Sequence, residues 1–285
     1  MQRVTTRKGI SVREEDAPDV EGKSFAVLDD LRQERSRVVI RRVNDSLLNR
    51  RPARQVVRFS ERAHSPRLSD EIWAPTLAHY REGEKLGGGQ YDPMEGRVKM
   101  DATPLMARRL LKQGVDMRSA SFEAQVTFGG SDPWVFCTAF CPVRERDAYR
   151  LARRISPEYD TITDILDVDA FALELGVDFA ITLNPELHTK ANSVVDIVQR
   201  ALAANSGFEK IVHVHHGPVA YEDISGSLDT GREPFDLESR VGFTKPRSFS
   251  YQSEYRFALW TIGEPSIRTL RIPVSDALRE CTSIR

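Results

Sequence analysis

The chain has 285 residues, 40% of them hydrophobic and 29% charged, with a formal net charge of -1. A chain of this length buries roughly 75% of its unfolded surface, so it needs no disulfide or metal staple. Cys137, Cys141 and Cys281 are an odd set that forms no disulfide framework. No apolar run approaches the ~20 residues that span a bilayer, and the first residues lack a secretory apolar core, so a cytoplasmic protein with no membrane partner is expected.

Residues 1–24 mix charges without sustained periodicity and are expected to form a flexible N-terminal arm, with residues 25–285 as a single α+β domain. Residues 35–67 hold ten arginines against Asp45 and Glu61, an excess of eight positive charges that could attract phosphates or nucleic acid. Within that block, residues 38–43 and 55–59 predict two short strands carrying Arg41 and Arg58. Residues 81–95 contain Gly87, Gly88 and Gly89 and read as a loop, but without a following Lys-Ser or Lys-Thr it is not a phosphate-binding P-loop. Thr103 as N-cap, Pro104 and Gly114 punctuate a helix through Lys112.

Residues 122–128 and 134–140 then predict a hairpin across Gly129 to Pro133. Cys137 and Cys141 stand four apart with Pro142 following, which is poor spacing for a zinc site, so no metal is expected there. Apolar spacing predicts helices over 144–155 and 168–175, and a buried strand over 177–183. Residues 189–204 read as an amphipathic helix packing through Val194, Val195, Ile197, Val198 and Leu202. A strand over 210–219 carries His213, His215 and His216, followed by a polar loop over 222–240. His213 and His215 share a strand face and could chelate a metal, with Glu222, Asp223 or Asp229 adding a carboxylate. Elements in this irregular order argue for an α+β fold rather than a doubly wound parallel sheet.

The segment from Lys245 to Leu259 places Gln252 and Glu254 at the mouth of an apolar strand. In an extended backbone their side chains would share one face. A carboxylate there can hold a ribose hydroxyl and stabilise charge at an anomeric carbon, while an amide can orient a nucleophile.

This segment resembles the Q-x-E turn of ADP-ribosyltransferases. It also resembles a bacterial family that reads Lys, a gap, two aromatics, Glu or Gln, any residue, Glu, an aromatic and Arg, matched here at Lys245, Phe249, Tyr251, Gln252, Glu254, Tyr255 and Arg256. The resemblance implies a mixed split β-sandwich with flanking helices around an NAD cleft, and NAD as substrate. It implies catalytic Glu254, with Gln252 selecting a non-arginine acceptor, in an ADP-ribosyltransferase or NAD glycohydrolase of the toxin or phage-defence kind. It further implies a first-strand arginine, for which Arg41 and Arg58 both qualify, and a strand scaffolding the nicotinamide ribose. That strand would be residues 134–140, where Cys137-Thr138-Ala139 keeps only the Thr138 hydroxyl. Tyr251 is placed to stack on nicotinamide. The competing expectations are a metal-dependent hydrolase using His213 and His215, and a noncatalytic protein whose basic block binds nucleic acid or an acidic partner.

Overall fold

The computed structural model describes residues 4–7, 10–15, 23–30, 35–44, 47, 54–81, 97–101, 125–129, 132–142, 145–190, 194–205, 210–221, 225–227 and 242–285. They form a mixed α+β protein centred on a ten-stranded sheet. Its strands lie in the spatial order Val4–Arg7, Ile10–Glu15, Lys23–Asp30, Arg35–Arg42, Lys210–Pro218, Glu254–Thr261, Trp134–Pro142, Arg54–Ser60, Thr161–Ile165 and Thr282–Ile284. Arg35–Arg42 and Lys210–Pro218 run parallel, and the other neighbouring pairs are antiparallel.

Alternation along the central strands separates two faces. Tyr255, Phe257 and Leu259 join Trp134, Phe136, Phe140, Val38 and Val214 in the main core, beneath the helix Val168–Thr182. The opposite face carries two smaller apolar clusters. One groups Val57, Phe59, Ala139 and Cys141 with Ala148 and Ala152 of the helix Glu145–Ile155. The other groups Val135 and Ala258 with Leu77 and Phe243.

The strand expected over 177–183 is instead the second half of the helix Val168–Thr182. Phe171, Leu175, Val177 and Phe179 are all buried, so this helix is apolar around most of its circumference and its sequence lacks the amphipathic signature. Asp167 caps it by accepting the backbone N–H groups of Asp169 and Ala170 at 2.9 and 3.1 Å. Gly176 lets the helix approach the sheet, since a Cβ there would stand 2.6 Å from Val38 Cγ1 and 2.7 Å from Val214 Cγ2.

Other expectations also change. The helix expected from residue 189 begins at Val194, because Thr189–Lys190 pairs as a strand with Glu264–Pro265. Its Ile197, Val198 and Leu202 are exposed rather than packed. The expected hairpin does not form: Gln125–Gly129 pairs with Arg97–Asp101, while Trp134–Pro142 lies inside the main sheet. The stretch read as an arm contributes Val4–Arg7 and Ile10–Glu15 to the sheet edge, where short β-branched runs prevail over a charged composition. The triple glycine and the helix expected over 103–112 lie outside the described residues. Among the described residues no helix is long and apolar enough to cross a membrane.

Candidate active site

The ladder between Arg54–Ser60 and Trp134–Pro142 stops at the pair Val57 and Ala139. Beyond it the Arg54–Ser60 strand continues against Thr161–Ile165, and Trp134–Pro142 continues against Glu254–Thr261. The two strands therefore part. Arg58, the next residue, bridges the opening: its guanidinium donates to the Cys137 carbonyl and lies 5.0 Å from the Phe136 ring centroid. A backbone carbonyl that has lost its ladder donor thereby gains a charged one. The Arg58 Nε is buried with no hydrogen-bond partner among the described residues.

At this opening lies a cavity of about 100 Å³, lined among others by Arg58, Tyr80, Cys137, Thr138, Lys245, Gln252, Glu254 and Arg256. One water needs roughly 10–15 Å³ by this measure, so the space admits several waters or a small planar ring. The two minor apolar clusters flank it on the same sheet face.

Glu254 begins its strand beside Ala139, and Arg256 follows two residues later on the same face. Gln252 reaches the cavity differently from the strand expectation. It ends the 3-10 helix Arg247–Gln252, and Ser253 then turns the chain through φ 47° before the strand starts. A left-handed residue interrupts the extended geometry that would have put Gln252 and Glu254 in one row. Lys245 joins them instead: its Nζ stands 3.1 Å from Gln252 Oε1 and 2.8 Å from Glu254 Oε2.

Arg256 completes the cluster, with Nε and a terminal nitrogen each 2.7 Å from Glu254 Oε1. Its other terminal nitrogen donates to the Gly242 carbonyl. The Glu254 backbone N–H donates to the Tyr221 hydroxyl at 2.8 Å. Burial alone would raise the Glu254 carboxyl, but Arg256 and Lys245 outweigh it and hold it down from 4.5 to about 2. It is a carboxylate at any physiological pH. Burial pushes the Cys137 thiol up to about 12, with nearby Glu254 adding to the effect, and it raises the Tyr80 phenol well above its ordinary value. Arg58, Lys245 and Arg256 line the cavity together with the Glu254 carboxylate.

Of the residues expected to act, the structure brings Arg58, Thr138, Gln252 and Glu254 to one cavity. Arg41 is not among them. It lies on Arg35–Arg42, separated from the Glu254 strand by Lys210–Pro218. Thr138 donates its hydroxyl to the carbonyl of Tyr255, its partner on the neighbouring strand, at 2.6 Å. Tyr251 is half-buried beneath the Arg154 guanidinium, 5.1 Å from its ring centroid, and does not line the cavity.

His213 and His215 do share a neighbourhood, with ring centroids 6.2 Å apart, but Trp260 stands beside His215. Among the described residues no group of three His, Cys, Asp or Glu could hold a metal, while Glu222, Asp223 and Asp229 lie outside them. Within the basic block, Arg58 enters the cavity, Arg42 pairs with Asp169, and Arg67 donates to the Arg279 carbonyl.

Sequence reasoning gave Lys245 and Arg256 no role, although both belong to the motif and the two-residue spacing already placed Arg256 on the face of Glu254. Tyr80 and Tyr221 come from distant segments and carried no signal. No protein-family model, curated protein or solved structure matches the chain.

Proposed function

We propose that this protein cleaves the nicotinamide–ribose bond of NAD, as an ADP-ribosyltransferase toward a non-arginine acceptor or as an NAD glycohydrolase, on a split β-sandwich. The observation that carries the reading is the meeting of Arg58, Thr138 and Glu254, from three neighbouring strands, around one cavity that Gln252 also lines.

In this reading the bond from the anomeric carbon to nitrogen breaks and its electron pair leaves with nicotinamide. Glu254 is not the proton carrier, because it stays ionised. Lys245 and Arg256 also offset its charge, so its contribution is an oriented acceptor for a ribose hydroxyl more than an unbalanced negative field. Oε2 has one charged donor in Lys245, which leaves a lone pair for that hydroxyl. The cavity suits a nicotinamide-sized ring, so the remainder of the dinucleotide must extend beyond it. Arg58, at the opening, is the cation suited to the pyrophosphate.

The test is chromatographic detection of nicotinamide after incubation with millimolar NAD. Release by the native protein and its loss in Glu254→Gln, with folding checked by circular dichroism, is the expected result. Absence of nicotinamide from the native reaction would overturn the reading.

A further inference from the structure

Glu254 opens its strand, and its two backbone groups are held by different kinds of partner. The carbonyl accepts from the Val219 backbone N–H at 3.0 Å, while the N–H donates to a side chain, the Tyr221 hydroxyl, at 2.8 Å. Val219 is where the neighbouring chain changes partner. The Ala220 N–H donates to the Phe243 carbonyl at 2.8 Å, and Ala220–Tyr221 pairs with Thr244–Lys245 as a two-residue parallel ladder. A phenol oxygen thus satisfies a buried backbone donor that the departing strand leaves behind.

Tyr221 and Lys245 are register partners in that short ladder. One holds the backbone of Glu254 and the other its carboxylate, with Lys245 Nζ 2.8 Å from Oε2. Arg256, the second cation on this carboxylate, lies two residues along the strand of Glu254 itself. Both of the former contacts therefore reach Glu254 from one ladder pair outside its strand. Tyr221 does not line the cavity, and burial, with nearby Glu254 adding to it, raises its phenol above the ordinary value, so it acts as a neutral group at one remove from the bound molecule.

We propose that Tyr221 is a positioning residue for the cleavage at Glu254: its hydroxyl fixes where the strand begins, and with that the distance from the Glu254 carboxylate to the ribose hydroxyl it accepts. The inference rests on the NAD-cleaving reading above. Placement of this kind acts on the reacting geometry more than on binding, since a shift of about 1 Å can cost on the order of a hundredfold in rate. Arg58, the contact for the pyrophosphate, stands on a different strand and keeps its place.

The experiment compares Tyr221→Phe, which deletes the hydroxyl alone, with Thr261→Val. The Thr261 hydroxyl donates to the Ile211 carbonyl at 3.1 Å at the far end of the same strand, so its loss controls for a general loosening of that strand. Nicotinamide release is followed across NAD concentrations, with folding checked by circular dichroism. Tyr221→Phe should lower kcat roughly tenfold or more and leave the Michaelis constant for NAD within about twofold of native, and Thr261→Val should change neither. An unchanged kcat in Tyr221→Phe, a Michaelis constant that rises as far as kcat falls, or an equal loss in Thr261→Val overturns the inference while leaving NAD cleavage in place. A Tyr221→Phe protein that does not fold overturns it as well, because the hydroxyl then holds the structure and not the reaction. No nicotinamide release by the native protein overturns both readings.

Discussion

Lys245 and Glu254 form an ion pair at 2.8 Å in which both side chains are more than nine-tenths buried. Two charges withdrawn from water this far are mutually dependent, because removing either leaves the other in a low-dielectric interior with less to balance it. Arg256 adds a second cation to the same carboxylate, so Glu254 anchors the cluster as well as facing the cavity.

The first expectation follows from that dependence. Glu254→Gln preserves shape but leaves Lys245 and Arg256 with an amide, and removing one partner of a buried pair costs about 3–5 kcal/mol. Urea unfolding should show a loss of that order. The double variant Glu254→Gln with Lys245→Met should lose less than the sum of the two single changes. Additive losses would mean that the pair contributes no coupling.

Arg58 and Arg41 separate by function in a second measurement. Arg58→Ala removes a charged contact at the cavity, and charged hydrogen bonds contribute about 1.5–3 kcal/mol, so the Michaelis constant for NAD should rise roughly tenfold or more. Arg41→Ala, on a strand that does not line the cavity, should leave it nearly unchanged. Equal effects would remove the dedicated role given to Arg58.

A third expectation concerns acid. His216 is fully buried, its ring stacked 5.6 Å from that of Phe257 and its Nδ1 2.8 Å from the Tyr255 hydroxyl. Burial disfavours the imidazolium more than Asp169 favours it, and the ring titrates at about 4 instead of 6.5. The unfolded chain therefore binds the extra proton first. Stability from this group is complete above 6.5 and drains as pH falls toward 4. Glu254, also depressed, contributes stability above 4.5 that is lost only as pH falls toward 2. Melting temperatures of the native protein and of His216→Gln should converge on acidification from pH 6.5 to 4 and part again above it. Parallel curves would show that His216 does not set the slope.

Backbone proximity supplies a fourth. An alanine Cβ at position 217 would lie 1.9 Å from the Val43 carbonyl oxygen, whereas at position 176 it would meet side-chain methyls of Val38 and Val214 at 2.6 and 2.7 Å. Overpacking costs typically about 1–3 kcal/mol, which exceeds the roughly 1 kcal/mol of helix propensity that Gly176→Ala would gain. Both variants should unfold more readily. Gly217→Ala should be the worse, because backbone yields less than a methyl group. Adding Val38→Ala should restore part of the loss in Gly176→Ala and none in Gly217→Ala.

What the sequence made legible follows from how local each feature is. Gln252 and Glu254 lie within one motif, and the Arg58 strand announces itself by alternation, so these residues could be nominated before the fold was known. Choosing Arg58 over Arg41 required strand order, which depends on pairings between residues separated by dozens of positions. The helix Val168–Thr182 escaped notice in its second half because burial on nearly all sides erases the periodicity on which the reading relies. Gln252 was assigned the right neighbourhood for an incomplete reason: a single left-handed residue, Ser253, breaks the strand, and Lys245 restores the proximity.

The parting of the strands after Val57 and Ala139 divides responsibility for the cavity between two kinds of sequence change. Its existence depends on strand register, and its lining depends on side chains. Substitutions at Thr138 or Gln252 can therefore retune what the cavity accepts while the opening itself persists. A one-residue insertion in the short paired run Arg54 to Val57 acts oppositely: it turns Arg58 to the other face of the sheet and exchanges a charged gatekeeper for an apolar one. Specificity can thus drift by point mutation, whereas the opening is lost only by a shift of frame between strands.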